Sequence, residues 1–183
     1  MKTNGRVTPW LLILLLTVAG SASAFDGKRT GFCLGFGAGL GTITYSDDGA
    51  SDHKTLNGFQ TTLDIGAGIT DRLLILYSGH TTFNTTPDSP YGEVIWNELT
   101  VIVRYYFKPA VRSFYIFGGP AAAVGVGWDD YGIGGGGLGG FGFAAGVGYQ
   151  IDRHFQLELG AVITSGSNTS FRSFHATVNV MGY

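Results

Sequence analysis

Ser78 and His80 stand two residues apart, and Glu98 falls on the next segment of alternating apolar residues. A hydroxyl, an imidazole and a carboxylate at one height are the parts of a hydrolytic set: serine as nucleophile, histidine as base, the acid orienting it. Ser and His are equally ordinary where a strand lines a polar interior, so this set competes with a plainer reading. A second group makes a firmer electrostatic demand. Asp64, Glu98, Arg104 and Glu158 share the polar face of their strands with Gln60, Gln156, His80 and His175. Enclosed charges must be paired or hydrated, because a lone buried ion is prohibitively costly. Asp64, Arg104 and Glu158 fall at similar heights counted from the short connections, which predicts an interior plug in which Arg104 neutralises carboxylates. A gated proton or ion path is the competing reading. The four histidines, His53, His80, His154 and His175, show no metal-ligand spacing, and no metal or other cofactor is expected. The glycines of GFGAGLG alternate along a strand and do not open a helix, so they are not a dinucleotide loop.

The elements that would carry these residues are strands, because period-two alternation recurs along the chain. Phe32, Leu34, Phe36, Ala38 and Leu40 oppose Cys33, Gly35, Gly37, Gly39 and Gly41, a bulky face against a bare one. The second strand sets Phe59, Leu63 and Ile65 against Gln60, Thr62 and Asp64. The third, from Leu73 to Phe83, begins with a continuous apolar run, so only its end has a clear phase, with Ser78, His80 and Thr82 on one face. In the fourth, Leu99, Val101, Val103 and Tyr105 alternate with Glu98, Thr100, Ile102 and Arg104. The fifth, Phe114 to Trp128, contains Pro120, which predicts a bulge or a locally broken ladder. The sixth alternates Phe141, Phe143 and Val147 with glycines and Ala144, and the seventh Leu157, Leu159 and Ile163 with Gln156, Glu158 and Thr164. The eighth sets Phe174, Val178 and Val180 against His175, Thr177 and Asn179.

Composition says which way such strands face. There are 31 glycines, 14% aromatic residues and only 13% charged residues, whereas soluble domains carry about 25% charged. A soluble barrel with its greasy face inward would need a charged outer wall, and the opposite face here is mostly glycine. Lys2 and Arg6, the apolar stretch Trp10–Ala19 and Ala22-Ser23-Ala24 read as a cleavable export signal over residues 1–24, leaving Phe25 after Ala24 as the first mature residue. After it, no apolar run approaches the length of a spanning helix, so membrane residence requires a closed barrel. The mature chain carries 9 basic against 13 acidic residues, a formal charge of −4, and nucleic acid is excluded as a partner. Cys33 cannot form an internal disulfide and reads as a small wall residue.

Connections alternate in length: long at 46–58, short at 71–72, long at 84–93, short at 108–113, long at 129–137, short at 152–153. Short periplasmic turns and longer external loops then place both termini in the periplasm. The long connections hold Asp47, Asp48, Asp52, Asp88, Glu93, Asp129 and Asp130 against Lys54, a net −6, suited to solvation or to divalent cations and cationic partners. The run Gly134–Gly140 is expected to be a loop leading into the sixth strand.

The Gly-alternating GFCLGFGAGLG, the strand pair TVIVRYYFKPAVRSFYIFGG and AAGVGYQIDRHFQLELG resemble the small eight-stranded outer-membrane barrels of the OmpA transmembrane-domain and OmpX type. The resemblance spans residues 25–183 as a pattern and implies an all-β, eight-stranded antiparallel up-and-down transmembrane barrel. It further implies a Gram-negative outer-membrane address, lipid, lipopolysaccharide and the barrel-assembly machinery as partners, and a structural, envelope-integrity or surface-interaction role without catalysis. Some barrels of this size act on lipid A, which makes an acyl hydrolase or acyltransferase using Ser78, His80 and Glu98 the alternative, with a narrow channel as another. The last strand departs from the pattern: Tyr183 shares parity with Thr177 and Asn179, unless a bulge at Met181-Gly182 restores an outward phase.

Overall fold

The computed structural model describes residues 28–47, 53–84, 93–129, 132–166 and 169–183. The predicted export segment with its Ala24–Phe25 junction lies outside them, as do Asp48, Asp52, Asp88 and Asp130. Eight strands follow one another: β1 (Gly31–Asp47), β2 (His53–Gly68), β3 (Leu73–Asn84), β4 (Glu93–Tyr106), β5 (Ser113–Asp129), β6 (Gly132–Gln150), β7 (Phe155–Ser165) and β8 (Thr169–Gly182). Each pairs antiparallel with its sequence neighbours, and β8 pairs with β1 to close the barrel. Closure leaves no open edge, the condition a sheet must meet where the solvent offers no hydrogen bonds.

The register fixes the width. Followed across the ladders, Gly35 pairs with Asp64, then Ser78, Thr100, Ala121, Gly142, Thr164 and Phe171, and the path returns to β1 at Tyr45, ten residues from its start. That stagger over eight strands tilts them by about 40° and leaves an interior that side chains alone can fill.

The greasy face is outside. Leu40 is 71% exposed, Phe141 73% and Phe114 65%, while Asp64, Glu98, Arg104 and Glu158 are buried. The inverted, soluble arrangement is therefore not the one adopted. β3 shows how a continuous apolar run is phased: Leu74 and Leu76 turn inward with Ser78, His80 and Thr82, whereas Ile75 and Tyr77 face out. Near the termini the outer wall carries Tyr105 against Phe107 and Phe114 against Tyr149, with ring centroids 5.8 and 4.7 Å apart, part of the expected aromatic girdle.

Two expectations are corrected. Gly134–Gly140 is not a loop: β6 already begins at Gly132, and the run pairs with β5 through register shifts at Ala123/Val124 and Gly125/Gly127. Glycine removes the side chains by which alternation is read, while its backbone still makes the ladder. Strands likewise reach Asp47, Glu93 and Asp129, so these acids sit at strand ends. At Pro120 the β4–β5 ladder is interrupted between Thr100↔Ala121 and Val103↔Gly118, yet the register is the same on both sides, so the proline breaks the ladder without a bulge. At the end of β8 no bulge intervenes either: Met181 pairs with Gly35 and Gly182 with Leu34 in unbroken register.

Short connections close the end that carries the termini. Thr70 Oγ1 accepts from the Arg72 and Leu73 amides at 3.2 and 3.1 Å. Asp152 accepts from the Phe155 and His154 amides at 2.9 and 2.8 Å, and those bonds hold its carboxyl below the usual carboxylate range.

The bare inner face of β1 exists because other groups crowd against it, side chains at Gly35, Gly37 and Gly41 and backbone at Gly39. A Cβ on Gly39 would stand 1.9 Å from the Ala176 carbonyl oxygen, a backbone atom that cannot swing away. Gly39→Ala is expected to destabilise the barrel by about 1–3 kcal/mol in urea titrations of vesicle-folded protein. Ala38→Val, one residue along on the outer wall, should leave the midpoint unchanged or raise it.

Candidate functional site

Inside the barrel the side chains form layers. The floor, at the terminal end, is apolar and aromatic: Leu74, Leu76, Ile102, Tyr106, Tyr115, Phe117, Met181 and Tyr183 are buried together with Cys33. Tyr183, inward as its parity requires, meets the Tyr106 hydroxyl at 2.9 Å and accepts from Gln156 Nε2. Beneath this floor lies Arg29, from the segment before β1. Its Nη1 donates to the carbonyls of Asp71 and Lys108, both at 2.8 Å, its Nη2 to that of Ala110 at 2.8 Å, and its Nε to Gln150 Oε1 at 3.0 Å. Gln150 donates on to the Arg153 carbonyl at 3.0 Å, and the guanidinium lies 3.7 Å over the Tyr106 ring. One buried cation thus ties all three short connections together. Nothing in the sequence pattern marks it, because Arg29 precedes the alternation and follows another cation, Lys28.

Above the floor is the ionic layer. Arg104 Nη2 donates to Asp64 Oδ2 at 3.0 Å and to Glu158 Oε2 at 2.8 Å, and Nη1 donates to Gln156 Oε1 at 3.2 Å. The carboxylates have further donors: Ser78 Oγ reaches Asp64 Oδ1 at 2.5 Å, and the Tyr115 hydroxyl reaches Glu158 Oε2 at 2.9 Å. The guanidinium also lies 4.9 Å from the Tyr115 ring centroid. The structure therefore brings Asp64, Arg104 and Glu158 into one group. Glu98 points inward as well and is buried, one layer further from the floor, in register with His80.

Ser78 and His80 do touch, Oγ to Nε2, at 3.1 Å. The proton order along the chain of contacts runs against nucleophilic catalysis, however. Gln60 Nε2 donates to His80 Nδ1 at 3.1 Å, so a neutral imidazole carries its proton on Nε2 and donates it to Ser78, which donates to Asp64. A general base needs the lone pair where this ring holds the proton. Ser78 is, in addition, completely buried, away from any acyl chain in the surrounding lipid. His175 stacks on His80 with centroids 4.5 Å apart and lies 3.8 Å, Nε2 to Oε1, from Glu158. His80, Glu158 and His175 can each offer a ligand atom to one metal ion, a convergence from β3, β7 and β8 that residue spacing does not show.

No protein-family profile matches the chain, and no curated protein does. Among solved structures the chain is similar to Neisserial surface protein A, with a TM-score of 0.60 and 16% identity, over 84% of this chain and 97% of that one. It is also similar to Ail, the attachment invasion locus protein of Yersinia pestis, with a TM-score of 0.58 and 11% identity, over 83% and 99%. Ail in complex with the heparin analogue sucrose octasulfate gives 0.56 and 12%, over 82% and 99%. The fold is that of the small outer-membrane barrels. At these identities the likeness concerns the fold alone. Within an outer-membrane-type barrel, the layers above are the filling of a lumen.

Two substitutions test this account of the filling. Arg104→Met leaves two buried carboxylates uncompensated and should cost about 3–5 kcal/mol of folding free energy, whereas adding Asp64→Asn and Glu158→Gln should restore much of it. Arg29→Ala should lower the temperature at which the detergent-solubilised barrel loses its compact gel mobility, with little effect on its spectrum before melting.

Proposed function

We propose that this protein is a non-enzymatic integral barrel of a Gram-negative outer membrane, with both termini periplasmic, serving envelope integrity or surface interaction. The observation that carries this reading is the combination of an apolar outer wall with a filled lumen in which Arg104 pairs with Asp64 and Glu158. The wall suits lipid, and the filling leaves a floor of packed side chains where a general pore would need an opening. The proton order at Ser78 and His80 supports a structural duty for residues that would otherwise suggest lipid A chemistry. Short connections at the terminal end support a periplasmic position for that end, with the acidic strand ends and longer connections outward.

The surface partner expected is cationic, or an anionic lipopolysaccharide bridged by divalent cations. One of the solved Ail structures holds a heparin analogue; a polyanion of that kind would meet seven acidic residues against one lysine over the far connections of this chain, which disfavours the same ligand here.

The test is residence in the membrane. The protein should fractionate with the outer membrane and migrate differently on gels with and without boiling, as a closed barrel does. Leu159, 59% exposed near the middle of β7, provides the quantitative arm: Leu159→Arg should cost about 2–4 kcal/mol on folding into bilayers. A neutral effect, with the protein in the soluble fraction, would reject the proposal.

A further inference from the structure

We propose that the lumen binds one divalent transition-metal ion of the zinc class on His80, Glu158 and His175. One ligand atom from each lies within 4.8 Å of the others, and all three residues are buried. Two imidazoles and a carboxylate form a donor set that suits zinc and its neighbours in the first transition row, while calcium and magnesium require oxygens.

His175 is the residue that points to a ligand. Its side chain is 1% exposed, yet neither ring nitrogen has a hydrogen-bond partner. Buried polar atoms are nearly always satisfied, and an imidazole with both nitrogens unpaired is costly unless something else engages it. Its Nε2 faces Glu158 Oε1 at 3.8 Å, too long for a hydrogen bond. Two ligands bound at about 2.0–2.1 Å around a tetrahedral ion stand roughly 3.4 Å apart, and at most about 4.1 Å. The pair therefore already has nearly the separation of two ligands of one ion. The widest spacing, within 4.8 Å, requires the ligand atoms to close by about 1.4 Å to reach that separation.

Glu158 divides its oxygens accordingly. Oε2 is held by Arg104 and Tyr115, which fixes the carboxylate and leaves Oε1 directed at His175. His80 lies against His175 with ring centroids 4.5 Å and planes 27° apart, so one ring must swing out of the stack for both in-plane lone pairs to meet one ion. With the ion on Nδ1 in place of Gln60, Nε2–H still donates to Ser78, the kind of outer partner that orients a metal-bound imidazole; with the ion on Nε2, the Gln60 amide must turn so that its oxygen accepts from Nδ1–H. Ser173, Thr177 and Asn179, on the same lumen face of β8 as His175, also present buried polar atoms without protein partners. An ion on His80, Glu158 and His175 links β3 to β7 and β8 across the barrel.

The experiment uses the folded barrel in detergent, stripped with chelator and titrated with Zn2+ by calorimetry and with Co2+ by visible absorption. One ion per chain is expected, with a Co2+ spectrum of nitrogen and oxygen ligation. His175→Phe keeps the ring and its stack and removes two nitrogens that bond nothing else, so it should fold as well as the parent without metal. It should bind Zn2+ more than about a hundredfold more weakly, beyond the roughly 10–100-fold that loss of an outer partner costs. His154→Ala, at the β6–β7 connection, should bind like the parent. No binding, or binding equal in parent and His175→Phe as for an adventitious surface ion only, would overturn the proposal. Boiling-dependent gel mobility of each variant confirms that the barrel is present in every titration.

Discussion

A sheet surrounded by apolar walls must satisfy every backbone amide and carbonyl within itself, and this requirement governs the rest of the molecule. With eight strands, the ladder closes only when β8 finds β1, and the ten-residue stagger between departure and return sets the tilt, and with it the bore. Once the bore is too narrow for bulk water and too wide to be empty, the inward residues have to fill it. The glycines of β1 are part of the same geometry: they let polar groups from β2 and β8, such as Thr62 and Asn179, which bond each other at 2.9 Å, crowd against one wall.

Filling a narrow cylinder with polar groups raises an electrostatic problem that a hydrophobic core does not have. Arg104 is completely buried, and a guanidinium in that position is tolerable only because its planar fork reaches two carboxylates and an amide at once. The carboxylates in turn need their remaining lone pairs engaged, which draws in Ser78 and Tyr115. The layer is therefore a set of mutual obligations whose members come from β2, β3, β4, β5 and β7. Such a network contributes more to uniqueness of register than to net stability, since a one-residue slip would turn each of these groups into lipid.

Much of this was legible in the sequence because alternation is a direct image of the two faces of a strand. The number of strands, the inward placement of Asp64, Glu98, Arg104 and Glu158, and the short connections follow from it. Where the image fades, the reading failed for a physical reason. Gly134–Gly140 has almost no side chains to alternate and so reads as a loop, although its backbone pairs with β5. The start of β3 is apolar on both faces because Leu74 and Leu76 belong to the floor and Ile75 to the outer wall. Arg29 lies outside any strand. The meeting of His80, Glu158 and His175 depends on the ring closing, which no local pattern encodes.

The floor joins the chain's beginning to its end. Arg29, ahead of the first strand, stacks on Tyr106, and Tyr106 is bonded to Tyr183, the last residue. Each of these contacts spans 77 residues, and the β1–β8 pairing that completes the ring joins Leu34 to Gly182, so a large loop-closure entropy must be overcome before floor and ring are both complete. A half-zipped sheet therefore has no floor, and its ionic residues remain open to water. Desolvation of Arg104 and its partners comes together with the final strand pairing. The last hydrogen bonds of the ring and the sealing of its interior are one cooperative event, which gives a partly assembled barrel no stable resting place short of completion.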